Sequence, residues 1–141
     1  MMKSYLLDTN VISELMTNSP NQNVIQFLAQ IEESYLSVIT LHELHYGLNL
    51  LPEGQRKKTL AVQLEMLLME YGDYIIPLTP VETTQAAILR ATAKQQGYIV
   101  HLADALIAST AKVHNLVIAT RNTKDFAQLG IELINPWDFD S

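Results

Sequence analysis

The sequence predicts an α/β fold: a central, mainly parallel five-stranded sheet flanked by helices. Two observations carry that expectation. Short apolar runs alternate along the chain with longer stretches whose leucines recur at helical spacing, and the junctions between them carry helix start and stop signals. Strands that alternate with helices pair in parallel, because a parallel neighbour is reached through a crossover, usually a helix.

Taken in order, the first strand runs from Ser4 to Asp8 and ends on a carboxylate followed by Thr9 and Asn10. A polar triplet directly after two leucines marks a strand turning into a helix, with either Asp8 or Asn10 able to serve as the N-cap. Val24, Leu28 and Ile31 share a helical face. After a second strand, Tyr35 to Val38, the residues Leu41, Leu44, Leu48 and Leu51 mark another helix, which Thr40-x-x-Glu43 opens as a capping box. Leu60, Leu64, Leu67 and Leu68 mark a third, whose stretch from Val62 to Met69 suits either a core or a partner surface. Beyond a strand at Tyr74 to Pro77, Thr79-Pro80-x-Glu82 spells a second capping box with Pro at the first helical position. Asn115 stops the helix that precedes the fourth strand, Leu116 to Ala119, and Glu132 to Ile134 is the fifth.

The length of 141 residues and the 48% of hydrophobic side chains suit one packed domain over residues 1–141. No apolar run approaches the roughly 20 residues that cross a bilayer. The Met-Met-Lys-Ser start leads into a strand rather than a signal peptide, so the expected location is the cytoplasm. Without cysteine the chain has no disulfides, thiolate metal ligands or thiol nucleophile, and any metal must be held by oxygen or imidazole. A net charge of -6, from 15 acidic against 9 basic residues, argues against indiscriminate coating of duplex nucleic acid. A nucleic-acid substrate would need local basic patches or metal ions.

Asp104 is the most informative residue. It lies in Leu102-Ala103-Asp104-Ala105-Leu106-Ile107-Ala108, where an unpaired carboxylate facing packed neighbours is costly unless a cation or donors compensate. His101, one turn earlier, is either that partner or a cap. Glu43 reads equally as the return arm of a capping box or as a site acid. His42 and His45 stand at i, i+3 and lack the i, i+4 pair of a His-Glu-x-x-His zinc helix. Asp125, in Thr120-Arg121-Asn122-Thr123-Lys124-Asp125-Phe126, begins a short helix or joins a site. In parallel sheets ligands gather beyond the carboxyl ends of the strands. Asp8 and Asp125 follow two such ends, and Glu43 and Asp104 lie near helix starts that would converge there. Carboxylates gathered at one point repel unless cations are present, and oxygen donors favour Mg²⁺ or Mn²⁺ over zinc.

The ordered set Leu-Leu-Asp8-Thr9-Asn10, Thr40-x-x-Glu43-Leu44, Leu102 to Ala108 around Asp104, and Ala119-Thr120-Arg121-Asn122-x-x-Asp125-Phe126 resembles the PIN-domain ribonucleases. Within them it is similar to the VapC and FitB type toxins of bacterial toxin-antitoxin pairs, and Asn135-Pro136-Trp137 is FitB-like as well. The resemblance implies a PIN-like fold and an acidic pocket of Asp8, Glu43, Asp104 and Asp125 that binds one or two Mg²⁺ or Mn²⁺ ions. Thr9, Asn10, Thr120 and Asn122 would orient the acids or the water. It further implies metal-dependent hydrolysis of RNA, with tRNA or ribosomal RNA as the expected target, leaving 5′-phosphate and 3′-hydroxyl ends. The implied partners are a second copy of the chain and a cognate antitoxin that silences the site and carries the complex to operator DNA. Arg121 and Lys124 are the expected RNA contacts. Arg56-Lys57-Lys58 reads better as a solvated helix face.

Two other readings compete. A phosphatase of the haloacid dehalogenase type also places an Asp after strand one, but wants a second Asp two residues on, where this chain has Asn10. A non-catalytic module that binds an antitoxin as co-repressor would use the acids only to receive a partner's arginine.

Overall fold

The computed structural model describes residues 3–140. Its strands are β1 (Tyr5–Leu7), β2 (Ser34–Ser37), β3 (Ile75–Ile76), β4 (Val117–Ala119) and β5 (Leu133–Ile134). The helices are α1 (Thr9–Leu15), α2 (Gln22–Gln30), α3 (Val38–Leu50), α4 (Gln55–Tyr71), α5 (Pro80–Gln95) and α6 (Leu102–His114). Every strand pairing is parallel, and the order across the sheet is β3-β2-β1-β4-β5. All five strands expected from the sequence are present, four with their ends trimmed and the second shifted back by one residue, from Tyr35–Val38 to Ser34–Ser37.

Period-two alternation explains the three layers. On β1, Leu6 joins a core with Ile107, Ile118 and Phe126, while its neighbour Leu7 joins the opposite core with Val11, Phe27, Leu44 and Leu64. Ile118 and Ala119 divide the same way on β4. Helices α1 to α4 therefore cover one face and α5 with α6 the other. Leu6 and Leu7 are both fully buried, each contributing about 2 kcal/mol of apolar burial, as suits a central strand covered on both faces.

Strands β1 to β3 are laid down in one direction, and the chain then crosses back to place β4 on the other side of β1. The carboxyl ends of β1 and β4 thus form the topological switch point, where a crevice opens. Helices α5 and α6 are antiparallel: Glu82 in the first turn of α5 lies 3.7 Å from His114 at the end of α6. Because α6 ends where β4 begins, its own start, with Asp104, lies at the carboxyl edge of the sheet.

Local signals behaved unequally. Thr79 and Glu82 form the expected capping box with Pro80 at the helix start, and Asn115 stops α6 in the left-handed conformation at φ 57°. The box expected at Thr40-x-x-Glu43 does not form. Helix α3 starts earlier, at Val38, because Ser37 at the end of β2 already caps it by accepting from the Ile39 N–H at 3.0 Å. Thr40 is instead fully buried inside the helix. Asp8, rather than Asn10, caps α1. Along α4, Leu64 is buried, whereas Val62, Met66 and Met69 face outward. Lys57 pairs with Glu53 on the exposed surface, consistent with a solvated helix face. Among the described residues no helix is long and apolar enough to cross a membrane.

Candidate active site

Asp8 ends β1 in extended backbone and turns the chain into α1, its Oδ1 accepting from the Thr9 N–H at 2.8 Å. Its other oxygen accepts from the Thr120 hydroxyl at 2.8 Å and from Asn10 Nδ2 at 3.2 Å. Asp8 is thus at once a cap and a carboxylate fixed by three donors. It is only 7% exposed. Burial raises its pKa and the negative charges of Glu43 and Asp125 push the same way, while the bonds from Thr120 and Thr9 oppose them.

The neighbours form a connected set across β1 and β4. Asn10 Nδ2 also lies 3.2 Å from Thr120 Oγ1, which accepts from the Asn122 N–H at 3.0 Å. Asn10 Oδ1 accepts from the Arg121 N–H at 3.1 Å. Thr9 reaches in another direction: its hydroxyl donates to Glu43 Oε1 at 2.7 Å and lies 3.3 Å from Thr40 Oγ1. That contact is where the Glu43 carboxylate goes in place of the expected capping box.

Asp104 enters from the first turn of α6, half-buried, with His101 at the N-cap position making no side-chain capping bond. Burial lifts its pKa from 3.8 to about 6, reinforced by the charges of Asp125, Asp8 and Glu43 and opposed by His101. Asp125 closes a short 3-10 turn, Thr123–Asp125, after β4.

A cleft of about 430 Å³ brings Asp8, Glu43 and Asp104 together with Thr9, Asn10, Arg121 and Asn122. Asp125 and Lys124 lie in an adjoining hollow of about 260 Å³ that shares Asp104. Thr120 sits fully buried behind Asp8. His42 and His45 line neither; His42 stacks on Tyr46. Three further residues of α1 and its exit, Ser13, Glu14 and Thr17, line the main cleft, as does Trp137. Counting helically from Thr9, at i+4 and i+8, would have found Ser13 and Thr17. The Trp137 position depends on a long-range approach that no local spacing encodes.

A larger hollow, of about 740 Å³, lies at the opposite, amino edge of the sheet and contains none of these acids. It is an open groove beside Lys3, Lys112 and His114. Among the described residues the ion pairs are Lys3–Glu132, Lys57–Glu53 and His114–Glu82, so none of the four acids is paired. The acids span the cleft and the adjoining hollow without closing on one point: among the described residues no three Asp, Glu or His side chains form a ready-made metal cage. An all-oxygen set of this kind suits a hard ion that keeps several waters and takes one or two carboxylates directly.

Residues 5–132 match the PIN domain family. The chain is 38% identical over 136 residues to "VapC ribonuclease Y4jK" of Sinorhizobium fredii, covering 94% of this chain and 97% of that protein. It is 39% identical over 135 residues to "Toxin FitB" of Neisseria gonorrhoeae, with the same coverage of each. Among solved structures, "Structure of FitAB bound to IR36 DNA fragment" superposes with a TM-score of 0.90 at 35% identity, over 97% of this chain and 98% of that one.

Proposed function

This chain belongs to the PIN-domain family, and from that premise we propose that it is a divalent-metal-dependent endoribonuclease, the toxin of a toxin-antitoxin pair. Asp8, Glu43, Asp104 and Asp125 are its acids. The observation that carries the reading is the meeting of unpaired carboxylates from β1, α3, α6 and the turn after β4 around one switch point. Their unrelieved repulsion is what raises Asp8 and Asp104, after burial. A site that holds such charges with no protein cation paired to them is built to receive one from outside.

Asp8, Asp104, Asp125 and Glu43 would hold Mg²⁺ or Mn²⁺, directly or through water. When bound, such an ion lowers the pKa of a coordinated water and offsets charge on a phosphodiester. The chain's own residues do the rest. Thr120, Asn10 and the Thr9 N–H hold both oxygens of Asp8 in place, and the Thr9 hydroxyl holds Glu43. Asn122 stays in register through its N–H bond to Thr120. Arg121 and Lys124, on the two sides of Asp104, take flanking phosphates and counter the negative cleft. Water rather than the ribose 2′-hydroxyl attacks, so the products carry 5′-phosphates. A cognate antitoxin silences the cleft and gives the complex its operator DNA, in keeping with the DNA-bound FitAB relative. A second copy of the chain completes the toxin.

The test is cleavage of a mixed tRNA and ribosomal RNA pool by antitoxin-free protein with Mg²⁺ or Mn²⁺, with EDTA, and with Asp104→Asn. Cleavage should need metal and fall more than about 100-fold in the variant, beyond what loss of an outer-shell partner costs. Equal inactivity of two folded proteins would hand the lead to the non-catalytic, antitoxin-binding module.

A further inference from the structure

Trp137 stands in the wall of the acidic cleft, on the chain segment that follows β5. Its backbone is fixed twice: its N–H donates to Asn135 Oδ1 at 2.9 Å, and its carbonyl accepts from Asn23 Nδ2 at 2.7 Å. The ring packs against the core that contains Phe27. It is therefore a rigid aromatic surface at the edge of a charged site.

The Arg121 guanidinium carbon lies 5.0 Å from the centre of that ring. The same residue is anchored at its other end, where its N–H donates to Asn10, which in turn donates to Asp8. Arg121 is exposed and, among the described residues, forms no ion pair. A free guanidinium beside unpaired carboxylates would be drawn onto them, occupying the place of a metal ion. Held over an indole, it stays unpaired with the acids and has less side-chain freedom left to lose on binding.

We infer that Trp137 is a positioning residue that acts through Arg121: its ring holds the guanidinium at the mouth of the cleft, where it takes a phosphate of single-stranded RNA beside the acids. Arginine suits this task because its fork meets phosphate oxygens in pairs. The inference rests on the ribonuclease reading for the identity of the ligand and deepens it.

The test is the affinity of a short, fluorescently labelled single-stranded RNA, read by anisotropy in the presence of chelator so that binding is separated from cleavage. Trp137→Leu should weaken binding about threefold, the worth of an exposed cation–π contact, and Trp137→Phe should restore it. In an Arg121→Ala background, already weakened, Trp137→Leu should add nothing, as expected of two residues acting as one unit. Thermal melting guards against a folding defect, and Trp137→Met replaces Trp137→Leu if that variant melts early. An equal loss in both Arg121 backgrounds would mean that the ring stacks on a base directly and would overturn the inference. So would unchanged binding in Trp137→Leu, or a wild type that does not bind the RNA. A wild type that shows the expected pattern yet cuts no RNA with Mg²⁺ or Mn²⁺ would sink the nuclease reading while leaving the pairing of Trp137 with Arg121 in place.

Discussion

Helices α5 and α6 lie side by side in opposite directions, and each carries a carboxylate in its first turn: Glu82 on α5 and Asp104 on α6. At the amino edge of the sheet, Glu82 is buried but satisfied. It accepts from the Thr79 hydroxyl at 2.7 Å and from the Thr79 N–H at 2.8 Å, with His114 3.7 Å away. Those bonds, led by the Thr79 hydroxyl, hold its pKa below the usual value. At the carboxyl edge, Asp104 has burial and three like charges against it, and is pushed up to about 6. The carboxylate group and the helix position are shared; the surroundings differ. A structural carboxylate brings its partners with it, and a site carboxylate is left in want of one.

The comparison can be broken from either side. Glu82→Ala removes the return arm of the capping box and leaves the part-buried bonds of the Thr79 N–H and hydroxyl without their acceptor, so it should cost about 2 kcal/mol at neutral pH, roughly 6 °C in Tm. Because its folded-state pKa is depressed, the stability Glu82 supplies is present above its unfolded value of 4.5 and is lost as pH falls through the folded value. The deficit of the variant, followed by melting across a pH series, should therefore shrink in acid. Cleavage of RNA by the folded variant should stay near that of the wild type.

Asp104→Asn should move stability the other way by a smaller amount. Its folded-state pKa of about 6 stands above the unfolded 3.8, so the folded protein binds the extra proton and loses stability as pH rises through that window. In metal-free protein above pH 6 the amide relieves that penalty. Discounted for the exposed half of the side chain, the gain is about 1 kcal/mol, or about 3 °C in Tm. It should vanish toward pH 4. A variant that gains stability while losing cleavage would separate a site role for Asp104 from a structural one.

How much of this was legible in the sequence follows the range of each interaction. The strands and helices rest on local periodicity, and the capping box at Thr79 and Glu82 on a three-residue spacing, and all were readable. The same spacing misled at Thr40 and Glu43, because Ser37, three residues earlier, caps first, and because the Thr9 hydroxyl, from another element, takes the Glu43 carboxylate. Asp8 was readable as a strand-end acid. Its threefold hold by Thr9, Asn10 and Thr120 depends on β1 and β4 becoming neighbours, which the alternation of strands and helices does not state. The stacking of Arg121 on Trp137 is further still from local pattern, since it needs the chain after β5 to return past the cleft.

The central claim is that the unpaired acids are a metal site, and calorimetric titration of Mn²⁺ and Mg²⁺ into metal-free, antitoxin-free protein at neutral pH tests it most directly. The account predicts saturable binding of either ion by the wild type, weakening as pH falls below about 6 with protonation of Asp104, and strongly reduced binding by Asp104→Asn. Binding that is absent from the wild type, or equal in the wild type and Asp104→Asn, would contradict it.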